Sequence, residues 1–156
     1  MSYVRGKDFK LYVNTDSPYD NSPTWVENTN VKDLTRNLSA ALADVSTRGT
    51  TYRLQDTTLL DLSIDWQAVY DAADTILSEL ETAFHTNGYV ELLFLDGSIA
   101  TTGSRGLRGM FKVSKFQGNE ALEDEGLIDV SVVPAYYSGN MVRRVSITAP
   151  NTITNT

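Results

Sequence analysis

Leu60-Asp61-Leu62-Ser63-Ile64-Asp65-Trp66 alternates apolar and polar residues without a break. Successive side chains in a β-strand point to opposite faces, so this stretch has an apolar side and an anionic side. Leu62, Ile64 and Trp66 fall on the first, and Asp61, Ser63 and Asp65 on the second. The same rhythm returns in Leu127-Ile128-Asp129-Val130-Ser131-Val132-Val133, which sets Asp129 and Ser131 on its polar side. Two such strands predict a sheet with one face for a core and one for presentation. That arrangement points to assembly or a lined passage ahead of catalysis.

Working outward, residues 8–14 and 25–27 read as early strands, separated by a loop rich in Asp, Ser, Pro and Asn. Residues 31–43 fit both helical and strand spacing, with 32–39 the part read as a strand. A strand is preferred, because Thr, Asn and Ser are poor in helix interiors. Residues 44–58 are polar and weakly patterned. A long structureless loop inside a compact domain is uncommon, so a hairpin projecting from the body is expected there. Apolar residues then repeat at three and four, predicting one helix over residues 67–85, with Ile76, Leu80 and Phe84 on the inner face above Leu62, Ile64 and Trp66. Asn87-Gly88 is a stop, with Gly88 suited to the left-handed conformation. Residues 89–95 are almost continuously apolar and read as a strand buried on both faces. Gly103, Gly106 and Gly109 suggest a flexible connection, followed by strands at 108–116 and 127–133 around an acidic turn. A last strand at 141–148 and a tail at 151–156 too polar to make a core complete the reading.

The chain has 156 residues, which fits a single domain, with a projecting loop at 44–58 and a C-terminal arm at 135–156. Its formal net charge of −7 disfavours tight binding to nucleic acid, though it suits a channel through which DNA must slide. There is no cysteine, so no disulfide framework and no thiolate metal or redox site. No apolar run approaches the length of a membrane span, and the first eight residues lack the apolar stretch of a signal peptide. The expectation is a soluble protein made in the cytoplasm, without membrane insertion.

The residues for chemistry do not converge. His85 is the single histidine and falls at the predicted helix end, where a cation is favourable. No Gly-x-Ser-x-Gly occurs, and the stretch Gly103-Ser104-Arg105-Gly106-Leu107-Arg108-Gly109 lacks the Lys-Ser/Thr ending of a phosphate loop. Arg105 and Arg108 there offer a basic patch for an acidic neighbour. Asp61 with Asp65, and Asp71 with Asp74, do not read as carboxylates facing each other across a cleft. Asp16-Ser17-Pro18-Tyr19-Asp20-Asn21-Ser22 lacks the glycine and the closing Glu of a calcium loop. Glu120, Glu123, Asp124 and Glu125 read as a solvated turn or part of an anionic ring. Trp25, Tyr136 and Tyr137, if exposed together, would instead suit a carbohydrate-binding β-domain. No catalytic residue, cofactor or metal is expected.

In order and spacing, these elements resemble the major tail tube proteins of long-tailed bacteriophages. The stretches that carry the resemblance are Asp44-Val45-Ser46-Thr47-Arg48-Gly49 and its projecting segment, Leu60-Asp61-Leu62-Ser63-Ile64, the single helix, Gly109-Met110-Phe111-Lys112-Val113-Ser114-Lys115-Phe116, and Leu127-Ile128-Asp129-Val130-Ser131-Val132. The resemblance implies a mainly β fold, a β-sandwich or half-barrel of two packed sheets flanked by one α-helix, shared with contractile-tail and type VI secretion tube proteins. It implies a virion protein whose subunits form hexameric rings and stack into a tube. Asp61, Ser63, Asp65, Asp129 and Ser131 would face the lumen or a neighbour, and Asp44, Arg48, Tyr52, Arg53 and Asp56 would lie in the stacking loop. The implied partners are other copies of the chain, the tape measure, tail-tip and terminator proteins, and double-stranded DNA in transient, non-specific passage. A connector or terminator that forms one ring is the alternative.

Overall fold

A computed structural model describes residues 5–15, 23–119, 126–137 and 142–156. After a 3-10 turn at Gly6–Asp8, the described elements are β1 (Lys10–Asn14), β2 (Trp25–Glu27), β3 (Lys32–Asp44), β4 (Gln55–Val69), α1 (Thr75–Thr86), β5 (Val90–Leu95), β6 (Arg105–Asn119), β7 (Leu127–Pro134), β8 (Arg143–Ala149) and β9 (Thr152–Asn155). Among the described residues the fold is mainly β with one α-helix. The strands run in the order β2-β1-β5-β6-β7-β4-β3, with β8 beside β6 and β9 beside β8, and every pairing is antiparallel. The layers are joined through β6. Its first part pairs with β5 and β8, and its later part, from Phe111 onward, pairs with β7.

Alternation in β4 and β7 builds the main core. Ile64, Trp66 and Ala68 of β4 meet Ile128, Val130 and Val132 of β7, and Ile76, Leu77, Leu80 and Ala83 of α1 complete the same cluster. Leu62 is half-buried against this core. Phe84 is not enclosed. It lies at the helix edge, 38% exposed, with its ring 6.4 Å from that of Phe116. β5 is buried along its whole length. Val90, Leu92 and Phe94 enter the main core, while Leu93 and Leu95 enter a second cluster with Tyr12, Val145 and Ile147.

Four expectations are corrected. The helix starts at Thr75, because β4 continues to Val69 on the β7 ladder, and the Asp74 carboxylate accepts from the Ile76 and Leu77 backbone N–H groups at 3.0 and 3.4 Å. Such a cap satisfies orphan donors only at a helix start. The helix ends on Asn87 at φ 55°, not on Gly88. Gly106 and Gly109 lie inside β6 rather than in a flexible connection. A Cβ on Gly106 would collide with the Phe94 carbonyl oxygen, so that glycine permits the close approach of β5 and β6. Finally, the polar tail forms β9, whose Ile153 packs on the second cluster.

Candidate assembly surface

β3, β4, β7 and the later part of β6 form a four-stranded layer with its apolar side on the main core. Its other side carries the polar positions of the alternation. Opposed residues of an antiparallel pair share a face. The register sets Ser39 against Asp61, Asn37 against Ser63, Asp65 against Ser131 and Gln67 against Asp129. Asp61, Ser63, Asp65, Asp129 and Ser131 therefore lie on one face. Asn37 Nδ2 donates to Asp65 Oδ2 at 2.7 Å and to Ser63 Oγ at 3.2 Å, which fixes amide and carboxylate across the strands. β6 adds Lys115 opposite Ser131 and Gln117 opposite Asp129. Asp33, Asp65, Asp129 and Lys115 line one shallow cleft, giving it an anionic balance.

The β3–β4 hairpin rises beyond this layer. Residues 55–61 of β4 are all exposed, as is most of β3. Hydrogen bonds order the connection between the strands. Val45 N–H donates to the Leu54 carbonyl at 3.0 Å, Leu54 N–H donates to Ser46 Oγ at 2.7 Å, and Thr50 Oγ1 donates to the Thr47 carbonyl at 2.7 Å. Asp44 accepts from the Ser46 N–H at 2.9 Å and pairs with Arg53 at 3.3 Å. The Ser46 N–H chiefly, with its side chain and Arg53, holds the Asp44 carboxyl below its usual value of 3.8. Asp56 accepts from the Thr57 N–H, and Arg48 is exposed. Apolar side chains stand in solvent along the arm: Leu38, Leu42, Leu59 and Leu60, with Tyr52 81% exposed at the tip. Several large apolar side chains left in solvent along one arm suit an interaction site.

Arg108 does not form the basic patch read from the sequence. Its guanidinium pairs at 3.1 Å with Glu91, whose side chain is fully enclosed, and lies 5.2 Å over the Trp25 ring. Asn14 Nδ2 also donates to Glu91, at 3.3 Å. An acid inside an apolar strand is the sequence signal for such a pair, since an enclosed charge requires a partner. Nor do the three aromatic residues make one platform. Trp25 packs beside the second cluster under Arg108, whereas Tyr137 meets Tyr89 with ring centroids 5.1 Å apart. His85 lies in the last helical turn, 4.0 Å from Glu81. Among the described residues no three metal-ligating side chains gather, and no helix is long and apolar enough to cross a membrane. The predicted loop at 16–22 and the acidic turn residues 120–125 lie outside the described residues.

No protein-family model matches the sequence, and no curated protein resembles it by sequence. Solved structures do resemble it in fold. The SPP1 tail tube, solved by solid-state NMR and cryo-electron microscopy, superposes with a TM-score of 0.71 at 10% identity, over 96% of this chain and 82% of that one. A chain from the tail of an empty gene transfer agent particle, refined with C6 symmetry, gives 0.67 at 13% identity over 97% and 98%. A chain of the native gene transfer agent virion gives 0.64 at 17% identity over 85% and 95%. The chain has the tail tube fold.

Proposed function

We propose that the protein is the structural subunit of a phage-like tail tube, in which its rings stack to enclose a lumen lined by the Asp61-Ser63-Asp65 face. The observation that carries this reading is the four-stranded layer itself, within a tail tube fold. The layer has a polar anionic face, an apolar face sealed by α1, and edges at β3 and the later part of β6. Its four strands alternate in direction. The β6 edge of one copy is therefore antiparallel to the β3 edge of the next, and a ring of copies closes both edges of this layer. Six copies, the symmetry of the gene transfer agent tail, would close a barrel roughly 40–50 Å across at ordinary strand spacing and tilt. That exceeds the width of a DNA double helix.

Carboxylates on such a wall release DNA instead of trapping it, because they offer phosphates no cations. The virion tail is the corresponding location, with synthesis in the host cytoplasm. Tape measure, tail-tip and terminator proteins are the corresponding partners. The projecting hairpin favours a stacking subunit over a connector or terminator limited to one ring.

Negative-stain imaging of the concentrated protein, with and without tail-tip initiators, tests the reading. Rings and tubes are expected. A monodisperse monomer in both conditions overturns it, and single rings that never stack assign the protein to the connector or terminator. For the lumen face, tubes of Asp61→Lys/Asp65→Lys should retain DNA that wild-type tubes release. Equal retention would place that face elsewhere.

A further inference from the structure

The main core is covered unequally at its two flanks. On the β6 side α1 packs on it, and the helix edge sets Phe84 against Phe116, with rings 6.4 Å apart and 26° from parallel. Phe84 is exposed and Phe116 half-buried, so the pair leaves an apolar ridge at that edge. Glu81, one turn before Phe84, flanks the ridge. Over its whole length α1 carries Glu79 and Glu81 and neither Lys nor Arg. On the β3 side, among the described residues, no helix covers the core. Two grooves of about 740 and 450 Å³ open there and share Phe9, Arg36 and Phe94. The larger reaches enclosed Leu11, and Leu34 and Leu38 of β3 supply apolar wall to one groove each. Charges in the larger groove balance: Lys10 pairs with Glu27 at 2.9 Å, and Asp33 accompanies Arg36. The smaller is basic. Arg36, Arg105 and Arg144 line it, and Asp96 is the one acidic side chain among its described residues.

We propose that the Phe84–Phe116 ridge of one copy completes the open core flank of its neighbour in the same ring, with its rings over Phe9, Leu34 and Leu38 and Glu81 against Arg36, the guanidinium that both grooves share. Strand register favours this occupant. Phe116 opposes Val130, and Arg36 and Leu38 oppose Ile64 and Leu62. Val130 and Ile64 lie in the main core, and Leu62 packs against it. Phe116 at the β6 edge and Arg36 and Leu38 at the β3 edge therefore stand on the same side of the layer. Where the β6 edge of one copy meets the β3 edge of the next, that side is continuous. The helix beneath the first edge then adjoins the uncovered flank beneath the second. Chemistry matches as well: an apolar ridge with an acid meets an apolar floor with an excess of guanidinium groups. Phe84 and Leu38 are large apolar groups that the separate chain leaves in water, and enclosing them is favourable. The core of each copy is thus finished by another, so ring formation stabilises the fold itself.

This inference rests on the ring reading, and one experiment separates them. The chain has no cysteine, so Glu81→Cys and Leu38→Cys, both at exposed positions, each supply a single thiol. Rings assembled from a mixture of the two variants and treated with a short bismaleimide should yield linked dimers in denaturing gels. Rings of either variant alone should yield none, because the contact joins two different patches. Mixed rings without the link, or links in rings of one variant alone, overturn the seam and leave the ring reading standing. A wild-type protein that stays monomeric with and without tail-tip initiators overturns both. Charge reversal is the second arm. Glu81→Arg should raise the concentration needed for rings by at least about tenfold, with the circular dichroism of the dilute chain unchanged, and Glu81→Arg/Arg36→Glu should bring it back. Ring formation indifferent to the reversal also overturns the proposal.

Discussion

Replacing Glu91 by Leu would leave the Arg108 guanidinium, only 13% exposed, beside an apolar wall with its enclosed carboxylate partner removed. Breaking a buried ion pair from one side costs about 3–5 kcal/mol, mostly from the charge left behind. A protein of this length shifts its melting temperature by about 2–4 °C per kcal/mol, so Glu91→Leu should lower it by roughly 6–20 °C. Arg108→Met should cost a similar amount, with loss of its contact to Trp25 added. Glu91→Leu/Arg108→Met leaves neither charge stranded and should recover most of the loss. The assays are thermal and urea unfolding followed by circular dichroism, at concentrations low enough that assembly adds no stability. A coupling energy above about 1 kcal/mol is expected for charges in contact. If the two single losses simply add in the double variant, the pair is not acting as a unit, and the account of Arg108 as the counter-charge that lets Glu91 be enclosed is wrong.

Ile64→Ala should cost about 2–5 kcal/mol by the same unfolding measurement, because Ile64 is fully enclosed between sheet and helix. Asp74→Ala should cost about 1 kcal/mol and fray the first turn of α1, seen as faster amide exchange at Ile76 and Leu77. Gly106→Ala forces β5 and β6 apart and should destabilise by at least about 1–3 kcal/mol, with its largest chemical-shift changes at Phe94 and Leu95. The Asp44 carboxyl should titrate below 3.8 by NMR. Because its folded value is depressed, its contribution to hairpin order is present above 3.8 and is lost as pH falls through the lower folded value. Asp44→Asn should remove that pH dependence.

The two alternating strands were legible because a period of two survives on a half-buried sheet, and the structure sets their polar residues on one face. The projecting hairpin was legible as a break in that pattern. The start of α1 was not. Ala68, Ala72 and Ala73 fit a helical period as well as a strand and turn, and the Asp74 cap decides between them only through its bonds to Ile76 and Leu77. The glycines of β6 misled for a related reason. Gly106 marks a close approach to Phe94, a contact between residues distant along the chain that no local rule reveals. The same holds for β9, whose polar sequence becomes a strand because Ile153 finds Val145 and Ile147. Arg108 looked like surface charge until Glu91, seventeen positions earlier, was set against it.

The cover that β8 and β9 place over Leu93, Leu95 and Tyr12 also orders events in time. β5 is synthesised well before the residues that enclose its second face. During translation, its apolar side chains wait for residues 143–155 to emerge before that cluster can form. Pairings this distant along the chain are slow to establish. A nascent chain thus keeps one greasy face open while its β3–β4 arm, built from neighbouring strands, is already available to other copies. Premature contact between arms is the hazard this creates. Crowded synthesis of identical chains should therefore favour aggregation unless closure of the second cluster outruns encounter.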